Sequence, residues 1–210
     1  MKNNKTIFLS TILCFLPMIL SIMLYDQLPK QVAIHFDSSG IPNNYVPKAY
    51  AAFGLPILLA ILNLYHNFRI TNDPKIEHAS LSMRKFSVWL VPIISNVIIP
   101  FTLFIALGRK FPIVMVAGAI AGSVIVICGN YLPKCKQNYS IGIRLPWTLN
   151  DEENWNHTHR FAGIVWVIGG IVIVINAFLK ITYVNIIIIV LLVLLPITYS
   201  FFYFRTKSNQ

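Results

Sequence analysis

Apolar residues in this chain do not alternate with polar ones; they gather into six runs of about 20 residues, at 6–25, 49–68, 86–107, 111–131, 161–178 and 181–204. A helix of about 20 residues, rising 1.5 Å per residue, crosses the ~30 Å hydrocarbon core of a bilayer. No water reaches that core, so each backbone group must be bonded within its own segment. The runs are therefore predicted to be helices, even where Ile and Val dominate residues 186–193. The expected fold class is an all-α integral membrane protein, a six-helix transmembrane bundle. The first run follows Lys2 and Lys5 but is longer than the ~7–15 apolar residues of a signal peptide. It also lacks a small-x-small site before Asp26, and is read as an uncleaved span.

Composition sharpens this picture. The chain is 56% hydrophobic and 11% charged, whereas soluble domains run to about 25% charged. Seventeen Lys and Arg stand against seven Asp and Glu. They flank the apolar runs, where basic residues set orientation, so no direct nucleic-acid partner is expected. With the N-terminus inside, twelve basic residues fall on inner segments and five (Lys30, Lys48, Arg109, Lys110 and Lys180) on outer ones. The positive-inside rule thus predicts N-in/C-in. Cys14, Cys128 and Cys135 make no CxxC pair and are odd in number, which supports neither disulfides nor a zinc site. They are read as small buried hydrophobes or idle thiols.

No Asp, Glu, Lys or Arg falls within a run, and this argues against a proton- or ion-coupled transporter. Asn63, Asn96 and Asn176 are expected to hydrogen-bond across helices. Pro92 and Pro100 are expected to kink or break the third span. Gly118 and Gly122 form a GxxxG step for close approach of another helix, expected to come from the same chain.

Two connections, 26–48 outside and 132–160 inside, are too long for simple turns. The stretch 70–85 is read as a solvated amphipathic approach to span three. In the outer loop Val32, Ile34 and Phe36 alternate with Ala33, His35 and Asp37, and Asp37-Ser-Ser-Gly follows. A short strand and a turn are expected. His35 and Asp37 alone are too few for a metal site, so a binding surface including His35, Phe36, Asp37, Gly40 and Tyr45 is preferred, with no metal or cofactor. In the inner loop a helix is expected to start at Asn150 as N-cap, with Glu153 three residues on. That helix would carry Trp155, His159 and Arg160 toward span five.

At these residues the sequence resembles a known family. Gly129-Asn130, Lys134, Asn138, Gly142-Ile143-Arg144, Pro146-Trp147-Thr148-Leu149, Trp155 and Thr158-His159-Arg160 resemble the signature of the SdpI family of bacterial membrane immunity proteins. The outer loop, with Pro29, His35-Phe36-Asp37 and Gly40, is similar to the short uncharacterised module that often precedes that signature. The resemblance implies an N-terminal module over 1–68 and a four-span module over 69–210 with its motif loop at 132–160, in a bacterial cell membrane. It implies protection from a secreted antimicrobial peptide or toxin on the outer face. It also implies capture of a small winged-helix repressor on the inner face, through Asn138, Gly142, Arg144, Pro146, Trp147, Trp155, His159 and Arg160. Arg144 and His159-Arg160 would pair with acidic groups there, and Pro92, Pro100, Gly163, Gly169 and Gly170 would serve as pivots. The alternative is a transporter or channel for a peptide or small solute. A membrane enzyme is disfavoured because no HExxH or GxSxG motif is present, and no catalytic residue is assigned.

Overall fold

A computed structural model describes residues 4–76 and 81–208. Lys2 and residues 77–80 of the 70–85 connection lie outside the described residues. Six described helices are long and apolar enough to cross a membrane: Asn4–Gln27, Tyr50–Thr71, Leu81–Ala106, Ile113–Lys134, Glu152–Leu179 and Val184–Ser208. They match the six apolar runs one to one, and the all-α membrane bundle stands. Their ends differ from the runs, most of all in the fifth, which begins at Glu152 rather than residue 161. Hydropathy marks what can sit in lipid, whereas a helix continues until a cap or a proline stops its ladder. Arg84, Lys85, Glu152, Glu153, Arg160, Arg205 and Lys207 consequently lie on the helix ends.

The chain divides into two compact units, 1–72 with 84–112 and 73–83 with 113–210. In the first, span one is two helices, α1 (Asn4–Cys14) and α2 (Pro17–Leu24), followed by a 3-10 turn. Pro17 has no N–H, so the carbonyl of Leu13 loses its helical donor. Residues on α4 (Leu81–Ala106) replace it: Asn96 Nδ2 donates to Leu13 O at 2.8 Å and Ser95 Oγ to Cys14 O at 2.9 Å. A broken helix is tolerated in a membrane when a neighbour satisfies the freed backbone in this way. α4 itself runs through Pro92 and Pro100 without a break. Span three, expected to kink or break, is continuous, and the break lies in span one, where an adjacent helix supplies donors.

The first unit continues with β1 (Gln31–Phe36), β2 (Pro42–Pro47) and α3 (Leu55–Thr71), the last entered through a π-helical turn at Tyr50–Gly54. From α3, Asn63 Nδ2 donates to Ser10 Oγ and Thr11 Oγ1 on α1, at 3.1 and 3.0 Å. Its Oδ1 is buried without a hydrogen-bond partner. Asn63 and Asn96 are the interhelical links expected of them.

The second unit holds α5 (Ile113–Tyr131), α6 (Pro146–Asn150), α7 (Glu152–Leu179) and α8 (Val184–Ser208). α5 and α7 meet along small residues. A Cβ on Gly122 would stand 2.7 Å from Gly170 O, and one on Gly170 would stand 2.7 Å from Gly122 O. Gly118 lies against Ala177, Gly129 against Trp166 and Val167, and Gly163 against Pro133. Lipid tails are as apolar as Leu, so close van der Waals approach has to hold such helices together. The GxxxG partner is intramolecular, as expected. Gly163, Gly169 and Gly170 are contact positions on an unbroken α7, Gly169 lying against Leu192 of α8. Asn176 organises the α7–α8 turn, accepting from Ile181 N–H at 3.0 Å and donating to Asn185 Oδ1 at 3.0 Å.

Candidate binding surfaces

The 26–48 loop contains a β-hairpin, where the sequence suggested one strand. β1 and β2 run antiparallel, and Val32 pairs with Val46 and Ala33 with Tyr45. Ile34 on β1 and Asn43 on β2 drop out of register, and the adjacent Val32 and Ala33 are both buried. Leu28, just before the hairpin, joins Ala52, Ile99 and Leu103 in a buried cluster. Lys48 closes the base, donating to Tyr25 O at 3.0 Å with its ammonium 4.3 Å from the Tyr25 ring centre.

The turn forms where expected. Asp37 Oδ1 accepts from the N–H groups of Ser39 (2.8 Å) and Ile41 (2.9 Å), and Gly40 takes φ +81°. An Asp at the first turn position provides this local acceptor. Oδ1 is therefore committed to the backbone. His35 Nδ1 donates to Asn43 Oδ1 at 2.6 Å, because an amide oxygen only accepts. Of the outer candidates, His35 and Tyr45 are exposed and Phe36, Asp37 and Gly40 half-buried.

The 132–160 loop is built differently, with side chains holding backbone. Trp155, fully buried on α7, donates from Nε1 to Cys135 O at 2.6 Å and packs with Cys135 and Met83. Asn138 is also fully buried: its Oδ1 accepts from Ser140 N–H and Ile141 N–H (2.9 and 2.7 Å), while its Nδ2 donates to Lys136 O at 2.8 Å. Thr148 Oγ1 accepts from Leu145 N–H and lies 2.9 Å from Ile143 O. Gln137 Nε2 donates to Thr148 O and Leu149 O.

His159 closes the frame. Ile143 N–H donates to its Nε2 at 2.9 Å, so that nitrogen must carry a lone pair. The ring proton then sits on Nδ1 and is donated to Trp155 O at 2.8 Å. The His159 ring stacks on Trp155, centroids 4.0 Å apart. Gly142 has φ +112°, and a Cβ there would run into His159 Nε2. Only glycine fits.

Asn138, Gly142, Trp155 and His159 are thus parts of the frame, and buried His159 is not available to pair with a partner's acidic group. Arg144, Pro146 and Arg160 are exposed and Trp147 half-exposed. Trp147 Nε1 donates to Ser200 Oγ (2.7 Å), whose hydroxyl donates to Asn154 Oδ1 (2.9 Å), and its ring stacks near Phe204. An open groove of about 330 Å³ lies beside it, lined in part by Pro146, Asp151 and Lys207.

The N-cap of α7 is Asp151, not Asn150, which ends α6. Asp151 Oδ1 accepts from Glu153 N–H at 2.9 Å, and its Oδ2 pairs with Lys207 Nζ at 2.9 Å. Burial opposes ionisation of this carboxyl, but Lys207 and the amides of Asn154 and Glu153 outweigh it and hold the group below the usual carboxylate range. Cys135 is the small buried residue expected of it. It is buried within the frame, 3.3 Å from Asn138 Nδ2, and burial pushes its pKa up to about 11 despite that hydrogen bond.

Sequence reasoning missed Asp73, Lys75, Gln137, Asn154 and Ser200. Asp73 is buried and its Oδ2 accepts from Tyr139 N–H at 2.9 Å; Lys75 Nζ donates to Gln137 Oε1 at 2.8 Å. The start of the 70–85 connection is therefore docked on the motif loop instead of solvated. Ser200 lies inside an apolar run with no local mark of its role.

Comparison with known proteins covers both surfaces. Residues 134–201 match the SdpI/YfhL protein family, and residues 12–60 match a domain of unknown function (DUF1648). The chain is 30% identical to the immunity protein SdpI of Bacillus subtilis (strain 168) over 211 residues, covering 100% of this chain and 99% of that protein. No solved structure matches.

Proposed function

Because the chain belongs to the SdpI family and is a multi-pass bacterial membrane protein, we propose that it is an immunity protein that protects its cell from a secreted antimicrobial peptide. The observation that carries this reading is the similarity to an immunity protein from end to end, hairpin and motif loop included. The twelve-to-five distribution of basic residues supports an orientation with the hairpin outside and the motif loop in the cytoplasm. An arriving peptide then meets His35, Phe36, Asp37, Gly40 and Tyr45. On the cytoplasmic side Arg144, Pro146, Trp147 and Arg160 form the contact for a small winged-helix repressor held at the membrane. Asn138, Gly142, Trp155 and His159 keep that surface in shape. Peptide binding signals only if it favours one arrangement of the protein over another.

The test is survival of a sensitive bacterium expressing the chain and challenged with a sporulation-delay-type peptide. Protection should appear with the intact chain and vanish when residues 31–47 are replaced by a Gly-Ser linker, with membrane levels unchanged. Absence of protection by the intact chain would overturn the reading. For the inner face, Arg144→Glu should release a co-expressed repressor from the membrane while leaving resistance in place.

A further inference from the structure

On the reading that the hairpin meets a secreted peptide, we propose that it does so by strand addition: an extended segment of the peptide joins the free edge of β2, bonded to the backbone of Tyr45 and Pro47. Among the described residues the sheet has two strands. β1 is the covered one, with Val32 and Ala33 buried, whereas β2 is exposed at every residue but Val46.

The register fixes which backbone groups are free. Lys48 N–H donates to Lys30 O at 3.0 Å, and residue 32 pairs with 46. In an antiparallel ladder hydrogen-bonded pairs alternate with non-bonded ones. Pairs 30/48 and 32/46 are the bonded ones, so at 31/47 and 33/45 the backbone points outward. The N–H and C=O of Tyr45 and the C=O of Pro47 therefore face away from β1.

This edge is only partly defended. Proteins normally blunt a free edge with charged side chains, prolines, bulges, very short strands or a cover. Between Pro42 and Pro47 the sequence Asn43-Asn44-Tyr45-Val46 carries no charge. The bulge at Asn43 and the two prolines bound the usable edge to about four residues instead of abolishing it. Ile41 (61% exposed) and Tyr45 (53%) offer apolar contact alongside. Four residues of strand bury far less than the ~1,000 Å² a specific protein dimer requires. A second copy of the chain is thus a poor occupant, and a short peptide a suitable one. Recognition through backbone tolerates varied side chains and demands an extended peptide with its own amides free.

The experiment measures binding of a fluorescent synthetic sporulation-delay-type peptide to membrane vesicles containing the full chain. Tyr45→Pro, which removes both the ring and the outward N–H, should bind about tenfold more weakly than Tyr45→Ala, equivalent to one strong contact. Tyr45→Ala loses the ring but keeps the N–H, so the comparison isolates the backbone bond. Independently of any variant's folding, single backbone N-methyl groups walked along the peptide should weaken binding to the unaltered chain at alternate positions of one short stretch. Equal loss with Tyr45→Ala and Tyr45→Pro, or N-methyl effects without that alternation, would overturn strand addition while leaving the immunity reading intact. Disulfide-linked dimers of a Tyr45→Cys chain formed without peptide would assign the edge to a second copy and also overturn it. No binding by the unaltered chain would overturn both.

Discussion

The hairpin and the motif loop are both long connections between membrane helices, yet their singled-out residues do opposite things. In the hairpin the two strands satisfy one another's inward-facing backbone groups, and side chains such as His35 and Tyr45 remain exposed. The motif loop has no ladder. Its backbone groups must find other partners, and buried Asn138, Thr148, Trp155 and His159 supply them. A run of polar and aromatic residues in a motif is therefore as apt to be framework as contact, and the frame's geometry tells which.

Substitutions can break this contrast, the largest effect coming from Gly142→Ala. A Cβ at φ +112° is strained and meets the His159 ring, a cost of about 3 kcal/mol for strain and overpacking together. Unfolding in detergent should report it. So should alkylation of Cys135 with the other two cysteines replaced: a pKa near 11 leaves about one thiol in a thousand ionised at pH 8. Labelling should be slow in the parent and accelerate in the variant; equal rates would show that the frame does not depend on Gly142.

Next comes Asn138→Ala, which leaves two N–H groups and a carbonyl without their partner. About 2 kcal/mol should be lost. If Asn138→Ala were as stable as the parent, the loop's backbone would have another source of partners. A hairpin change of the same kind, Asp37→Ala, removes two amide bonds at an open turn where water replaces them; about 0.5–1 kcal/mol is expected. Smallest is Arg144→Ala, with less than about 0.5 kcal/mol, because its bond to Tyr139 O is exposed. A thermal shift as large as that of Asn138→Ala would move Arg144 from the contact surface to the frame.

The helices were legible because lipid imposes a single requirement over about 20 residues, and any run meeting it declares itself. Helix ends were less so: Glu152 begins the fifth helix because Asp151 caps it, a local geometry that hydropathy does not register. Of the hairpin, the Asp37–Gly40 turn was readable from its residues. β2 was not, since Pro42-Asn43-Asn44 has weak strand preference and pairs only because β1 is already fixed.

The sequence by itself determined that this is a six-span membrane protein, which connections are elaborate, and which family they resemble. Those follow from composition and order, which act locally along the chain. Only the tertiary structure decided that Pro17 breaks span one and that Ser95 and Asn96 mend it. It alone separated Arg144 and Pro146 from Asn138, Gly142 and His159, and brought Asp73 and Ser200 to the motif loop. The reason is that burial and hydrogen-bond partnership are relations between residues distant in the chain. A polar side chain looks the same in sequence whether it faces water or holds another segment's backbone.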